Sequence, residues 1–301
     1  MGTQFFSIIM PTYNRDALIG RAIESVIAQS FDDWELVIID DGSTDTTAEV
    51  ISSYADERIT CHYQPNRGHA SARNTGIRAS RGTYICFLDS DDQYMRDHLQ
   101  VLHHHIVKRN YPVALLHTLH YKMENGVQSC REYSPGDFDR IKFWKFPHTN
   151  SVCIHRTILE TVQFNPEVRV HVDPELYGRI ASKFEIITLP THTTVTHRGH
   201  ARVTTPSLRF YKELEKTYTI AFSDPESIYS RLPHEQKQRM MRHFRENVIR
   251  RSLVERNYAE IAACIARAPS VVLHLARSYP PRRVIARLAK RWRFAWHKKG
   301  E

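Results

Sequence analysis

Through the first hundred residues, apolar runs of strand length alternate with apolar positions at helical spacing. That alternation predicts βαβ units and a mostly parallel sheet. Phe5–Met10 reads as the first strand, and Ala17–Gln29 carries Ala17, Leu18, Ala22, Ile23, Val26 and Ile27 at the spacing of one helix face. Glu35–Asp40 is the second strand, and the polar turn Asp41–Thr47 leads into a helix through Tyr54 whose start Ser and Thr side chains can cap. Arg58–Tyr63, Ala70–Ser80 and Tyr84–Leu88 continue as strand, helix and strand, followed by a helix over Tyr94–Asn110.

Beyond residue 110 the pattern loosens. Strands are expected at Ala114–Tyr121, Val127–Tyr133, Ser151–His155, Phe184–Leu189 and Thr193–His197, with a short helix near Pro135–Phe143 and another at Pro174–Ser182. From Pro206 the chain reads as helical, punctuated by Pro225, Pro233, Pro269 and the pair Pro280-Pro281. The expected organisation is an α/β domain over residues 1–205, divisible into 1–110 and 111–205, and a helical extension over 206–301.

Composition narrows the class. A length of 301 residues with 41% hydrophobic content suits a globular protein. Cys61, Cys86, Cys130, Cys153 and Cys264 are odd in number and form no CxxC pair, which fits buried thiols in a reducing compartment and disfavours a disulfide framework or a zinc site. The first residues show no basic leader and meet Pro11 early, and no stretch approaches the roughly 18 apolar residues of a membrane span. Secretion and membrane spanning are therefore disfavoured. Formal charge is uneven: −4 over residues 1–227, +5 over 228–270 and +8 over 271–301. A mildly acidic body thus carries a basic C-terminal segment with scope for its own partner.

The densest chemistry lies at Asp89-Ser90-Asp91-Asp92, where a buried-type strand ends in three carboxylates. Carboxylates this close repel, and a hard divalent cation among them is the first remedy, with a solvated acidic helix start as the alternative. Pro11–Arg15 and Asp40–Thr44 also fall at the carboxyl ends of expected strands, the edge where open α/β sheets bind ligands. An aromatic and a carboxylate at adjacent strand ends can stack on a base and read its polar edge.

In order, Ser7–Arg15, Val37–Asp45, Gly68 with Ala72-Arg73-Asn74-Thr75-Gly76, and Leu88–Asp92 resemble the motifs of the inverting family 2 glycosyltransferases, over about residues 5–205. The resemblance implies a GT-A fold, Rossmann-like, with helices flanking a mostly parallel central sheet, residues 1–110 binding the nucleotide-sugar and 111–205 the acceptor. It implies that Pro11, Thr12 and Tyr13 line the nucleoside pocket, with Arg15 and Ser90 in the same donor-binding set, and that Asp41 accepts a hydrogen bond from the base, typically the imide of uracil. The alternative for Asp40 and Asp41 is a helix-capping turn. Arg73 would lie near the nucleotide and the acidic motif, a role compatible with a structural ion pair to Asp40 or Asp89.

The family pattern of acid, any residue, acid makes Asp91 the metal ligand and Asp89 a contact to ribose or the metal shell, with Asp92 in support. Magnesium or manganese would bridge the donor phosphates. The general base of an inverting displacement comes from an acidic pair before a helix, and in Val172-Asp173-Pro174-Glu175 the residue usually glutamate is Val172. Asp173 therefore inherits the base role, Glu175 is a weaker candidate, and a simple N-cap before Pro174 is the structural alternative. His200, in Arg198-Gly199-His200, resembles the family histidine that ligates the metal or bonds a phosphate, although His197 and His192 lie near it in sequence.

Other features are less specific. His103-His104-His105 cannot converge on a metal from one helix. The segment Phe143–Asn150, just before the strand into His155, suits the shaping of an acceptor pocket, with core packing as the alternative for Trp144. Basic residues interleaved with Trp292, Phe294 and Trp296 suit an anionic membrane surface, with a dimerising helix as the bland reading, and no nucleic-acid module accompanies them. The expected function is metal-dependent transfer of a sugar from a nucleotide diphosphate, a UDP-sugar first, to a hydroxyl of a glycan or glycolipid in surface-polysaccharide synthesis, at the cytoplasmic face of a bacterial membrane. A non-catalytic nucleotide-sugar-binding protein is the competing class, with Val172 as its one hint.

Overall fold

The computed structural model of the protein describes residues 4–124, 127–130, 147–198, 207–254, 260 and 263–264. The expected helix near Pro135–Phe143, Trp144, His200 and the basic segment 271–301 lie outside the described residues. The chain divides into two compact units, residues 1–201 with 225–228, and residues 202–224 with 229–301.

In the first unit, β1 (Phe6–Thr12), β2 (Trp34–Asp40), β3 (Ile59–Tyr63) and β4 (Tyr84–Phe87) are linked by α1 (Asp16–Ile27), α2 (Thr47–Ser52) and α3 (His69–Ala79). All their pairings are parallel. β1 and β2 are buried at every position, which is why their sequences are continuous apolar runs rather than alternating ones. α1 buries Ile19, Ala22, Ile23 and Val26 against this sheet. α3 approaches more closely through Gly76, where an added Cβ would lie 2.4 Å from Ile9 Cγ2.

The rest of the unit comprises β5 (Gln93–Tyr94), α4 (His98–Lys108), β6 (Ala114–Glu124), β7 (Val127–Cys130), β8 (Val152–His155), α5 (Arg156–Thr161), α6 (Val172–Ile180) and β9 (Glu185–Arg198). The sheet order is β3-β2-β1-β4-β8-β6-β9-β5, with β7 beside β6. β8 is antiparallel to both β4 and β6, so the parallel half gives way to a mixed one.

Two expectations change for tertiary reasons. The helix expected from Tyr94 starts only at His98, because Tyr94 pairs with Thr194, its amide donates to Ser25 Oγ at 3.1 Å and its hydroxyl donates to Phe87 O at 2.8 Å. The two strands expected around Pro190 form one strand, β9, with register shifts opposite the Pro190 stretch. A residue without an N–H is tolerated where the ladder is already irregular.

The second unit holds α7 (Leu208–Ser223), capped by Ser207, whose Oγ accepts from Phe210 N at 3.1 Å, and α8 (His234–Val254). Tyr218 stacks on Phe244 with centroids 5.1 Å apart, and Arg245 meets Glu215 at 2.7 Å. Among the described residues no helix is long and apolar enough to cross a membrane.

Candidate active site

Parallel register brings the polar clusters together. Thr12 lies opposite Asp40, and Asp41 N donates to Thr12 O at 2.9 Å, so Pro11–Tyr13 and Asp40–Asp41 share one edge of the sheet. Two loops lock each other there. Asn14, at φ 51°, accepts from Thr44 N at 2.8 Å and donates its own N–H to Ser43 Oγ at 2.9 Å, while Arg15 N donates to Thr47 Oγ1 at 2.8 Å. Tyr13 stands at their lip with 45% of its surface exposed, an open aromatic face, whereas Thr12 is buried.

The adjacent aspartates divide their work. Asp40 braces its own turn, its Oδ1 accepting from Ser43 N at 2.9 Å, while α2 starts only at Thr47 with Thr46 at its cap position. Asp41 reaches across to the start of α3, accepting from Gln64 Nε2 (2.6 Å), Arg67 N (2.9 Å) and Gly68 N (2.7 Å). A carboxylate offers about four lone-pair positions, so three internal donors leave room for one more. Gly68 adopts φ 87°, a conformation L side chains rarely take.

Leu88 N donates to Ile9 O at 3.0 Å, which sets the acidic loop beside the end of β1. Its centre is a shared guanidinium. Arg73, on α3 and only 3% exposed, donates through Nη2 to Asp89 Oδ1 at 2.7 Å and through Nη1 to Asp173 Oδ1 at 3.2 Å. The sequence left Asp40 or Asp89 as partner, and the fold supplies Asp89 plus a second acid from α6. Burial would raise the Asp89 carboxyl, but Arg73, with His148 and His69 beyond it, outweighs burial and holds it below its ordinary value. Arg73 is correspondingly held above its ordinary range: its burial opposes the charge, and Asp173 and Asp89 overcome that. The imidazole of His69, the first residue of α3, is held below its ordinary value by desolvation and by Arg73.

Asp173 sits in the first turn of α6, not at its cap. His171 occupies the cap position at φ 54°, and the Asp173 carboxylate meets Arg73. Glu175 is committed elsewhere: Arg179 grips it through Nε and Nη2, each at 2.8 Å, with Glu175 2% exposed. Val172 is buried. Tyr177 is fully buried, its phenol pushed well up by burial and by Asp173.

Asp89, Asp91 and Asp92 offer oxygens that all lie within 4.8 Å of one another. Such a hard-oxygen set fits magnesium or manganese better than a soft metal. Ser90 is buried between them in sequence. The fold therefore gathers Asp89, Asp91, Asp92, Arg73 and Asp173, and ties Asp41 to the same helix start. It disperses the histidine triplet: His103 packs on Phe5 and Phe31 while His105 meets Arg109 at 3.0 Å. The sequence offered Asn150 only as the end of an acceptor-pocket segment and gave no sign of Arg21, yet both hold the acidic loop. An isolated amide in an irregular stretch and a basic residue on a helix gave no spacing by which to find them.

Residues 7–161, just over half of the chain, match the model described as Glycosyl transferase family 2. The putative teichuronic acid biosynthesis glycosyltransferase TuaG of Bacillus subtilis is 42% identical over 97 residues, 31% of this chain and 38% of that protein. The chain spans about a third or less of the length of the leading curated relatives it matches. Among solved structures, Staphylococcus aureus TarS 1–349 in complex with UDP-GlcNAc superposes with a TM-score of 0.59 at 18% identity, covering 81% of this chain and 72% of that one. The mannosyltransferase PcManGT of Pyrobaculum calidifontis, in complex with GDP-Man and Mn2+, gives 0.60 at 20% identity, covering 94% and 83%. With its ordered motifs gathered at one sheet edge and a family match across that half, this chain belongs to glycosyl transferase family 2.

Proposed function

We propose that the protein transfers a sugar, with inversion, from a nucleotide diphosphate donor to a hydroxyl of a glycan or glycolipid, and that residues 1–110 bind the donor and 111–205 the acceptor. The observation that carries this reading is the Arg73 bridge between Asp89 and Asp173, which puts a donor-side acid and a candidate base on one cation. Pro11, Thr12, Tyr13 and Arg15 form the nucleoside side, with Tyr13 stacking on the base and the spare lone pair of Asp41 accepting from its imide. TarS is recorded with UDP-GlcNAc, and uracil suits an acceptor-only carboxylate, so a UDP-sugar is the preferred donor.

A divalent ion held by Asp91 with Asp89, and by His200 from outside the described residues, would neutralise charge on the departing diphosphate. The binding of Mn2+ in PcManGT makes manganese the first ion to test. Arg73 keeps Asp89 ionised and orients Asp173, which takes the proton as the acceptor oxygen attacks the anomeric carbon and the carbon–phosphate oxygen bond breaks. Ser90 contributes to donor binding from within the acidic loop. Surface-polysaccharide synthesis is the setting, as the name of TuaG indicates for that relative. The basic aromatic segment 271–301 would hold the enzyme on the inner face of an anionic membrane.

Turnover of a panel of nucleotide sugars with manganese, against Asp91→Asn and Asp173→Asn variants shown to be folded, tests the reading. Loss of transfer in both with native donor binding in the second is expected. Full activity in both would overturn it, and binding without any turnover by the native chain would favour the non-catalytic class. Flotation with anionic liposomes tests the membrane role, and a chain truncated before Pro280 that floats equally well would end it.

A further inference from the structure

Asn150 is fully buried in the 3-10 turn Thr149–Ser151 that leads into β8. Its Oδ1 accepts from the backbone N–H of Asp89 at 2.8 Å, and its Nδ2 donates to Asp92 Oδ2 at 2.6 Å. The backbone donor can meet only the amide oxygen, so the sense of the pair with Asp92 is fixed. The other carboxylate oxygen of Asp92 accepts from His197 N, on β9, at 2.7 Å. Asp92 is 2% exposed, while Asp89 and Asp91 are half-buried. Arg21, on α1, donates to the Asp91 carbonyl at 2.7 Å.

A buried carboxylate that takes a donor on each oxygen from two different strands' surroundings is built to hold elements together, and its burial is tolerated only while those donors stay. We infer that Asp92 is a strut rather than a metal ligand, and that Asn150 is the positioning residue that sets where Asp89 and Asp91 direct their oxygens. The inference rests on the reading that this loop holds a divalent ion. It assigns the acidic run two functions: Asp89 and Asp91 face the ligand, and Asp92 fastens the loop to the end of β9, shortly before His200 in the sequence. Partners of this kind typically change metal affinity by about ten- to a hundredfold when lost.

Exchanging the two residues tests the inference. Asn150→Asp sets two carboxylates against each other, and Asp92→Asn removes the charge the amide was placed to meet. In the double exchange the new amide at position 92 can donate to the new acid at position 150 and still accept from His197 N, while the acid at 150 still accepts from Asp89 N. Total charge is unchanged. Mn2+ uptake by the full chain, read from the electron paramagnetic resonance of free ion, should weaken about ten- to a hundredfold in Asn150→Asp and return to within about threefold of native in the double variant.

Thermal unfolding without metal should follow the same pattern, a lowered midpoint in Asn150→Asp and recovery in the exchange, which tests the strut separately. A double variant that regains its melting midpoint but not its affinity would make Asp92 a ligand and overturn the inference. So would native affinity in Asn150→Asp. A native chain that takes up no Mn2+ would sink the metal reading, while the melting series would still decide whether the Asn150–Asp92 pair is a strut.

Discussion

Arg73 donates to Asp173 at 3.2 Å across a hundred positions of sequence, and its second nitrogen holds Asp89 at 2.7 Å. One planar fork thereby fixes the separation of two acids delivered by β4 and α6. A lysine at this place would keep a charge but not two directed bonds. The spatial coupling makes the consequences of losing Arg73 specific.

Replacing Arg73 by Lys should lower kcat by about two orders of magnitude, since misplaced groups of this kind cost on that scale. Stability should change with a defined pH sign. Asp89 is held low in the folded state, so its contribution is present above the unfolded value of about 3.9 and is lost as pH falls through the lower folded value. In Arg73→Ala burial acts without its counterweight and the Asp89 carboxyl rises, so this part of the acid destabilisation should shrink and the acid limb should be shallower than in the native chain. Thermal melts between pH 7 and pH 3 check this, and identical acid limbs would contradict it.

Asp173 and Glu175 are two positions apart and should separate cleanly. Asp173→Asn should cut kcat by about 100- to 10,000-fold, the range for a lost general base, while leaving UDP affinity near native. Glu175→Gln breaks a buried fork with Arg179, and the cost should appear as a lower melting midpoint with little change in kcat per folded molecule. Steady-state kinetics beside calorimetric UDP titration distinguish the two. A catalytic collapse in Glu175→Gln with Asp173→Asn active would reverse the assignment.

What the sequence revealed followed from local rules. β1, β2 and β4 are apolar runs ended by polar clusters, and the parallel register needs only that pattern to align Pro11–Tyr13, Asp40–Asp41 and Asp89–Asp92 at one edge. The remainder depended on contacts between distant segments. The start of α4 shifted because Tyr94 is captured by β9, and β9 runs through Pro190 because its partner β6 shifts register there. Asn150 owes its role to the turn that places it between Asp89 and Asp92, which no periodicity encodes.

The close approach of α3 to the sheet can be tested away from the chemistry. A methyl at Gly76 would lie 2.4 Å from Ile9 Cγ2 and 3.3 Å from Ile39 Cγ1. Gly76→Ala should therefore destabilise by about 1–3 kcal/mol through overpacking, against the usual benefit of Ala in a helix. Ile9→Ala removes the clashing methyl, so the double variant should be more stable than the sum of the single effects predicts. Denaturant unfolding of all four proteins measures the coupling, and strict additivity would show that the helix shifts instead.

His98 gives the last prediction, and its sign comes from what surrounds it. The ring is fully buried, with Nδ1 2.7 Å from Thr193 Oγ1, and the Thr193 hydroxyl donates onward to Thr118 Oγ1 at 2.7 Å. Nδ1 is therefore the protonated nitrogen, and Nε2 has no partner among the described residues. Burial pushes this histidine down to about 3 and, on the neighbouring strand β6, pushes His117 down to about 4. Both groups take up protons in the unfolded chain near pH 6.5 and in the folded chain only far below it. Stability is thus retained at and above neutral pH and lost as pH falls from about 6.5 toward the folded values. For His98 alone the loss between pH 7 and pH 5 should be about 2 kcal/mol. His98→Leu should be less stable at pH 7, because Thr193 loses a donor, yet its stability should fall less steeply over the same interval. Urea unfolding at pH 7, 6 and 5 reads both slopes, and an unchanged slope in the variant would mean that His98 takes up its proton over the same pH range in the folded and unfolded chains.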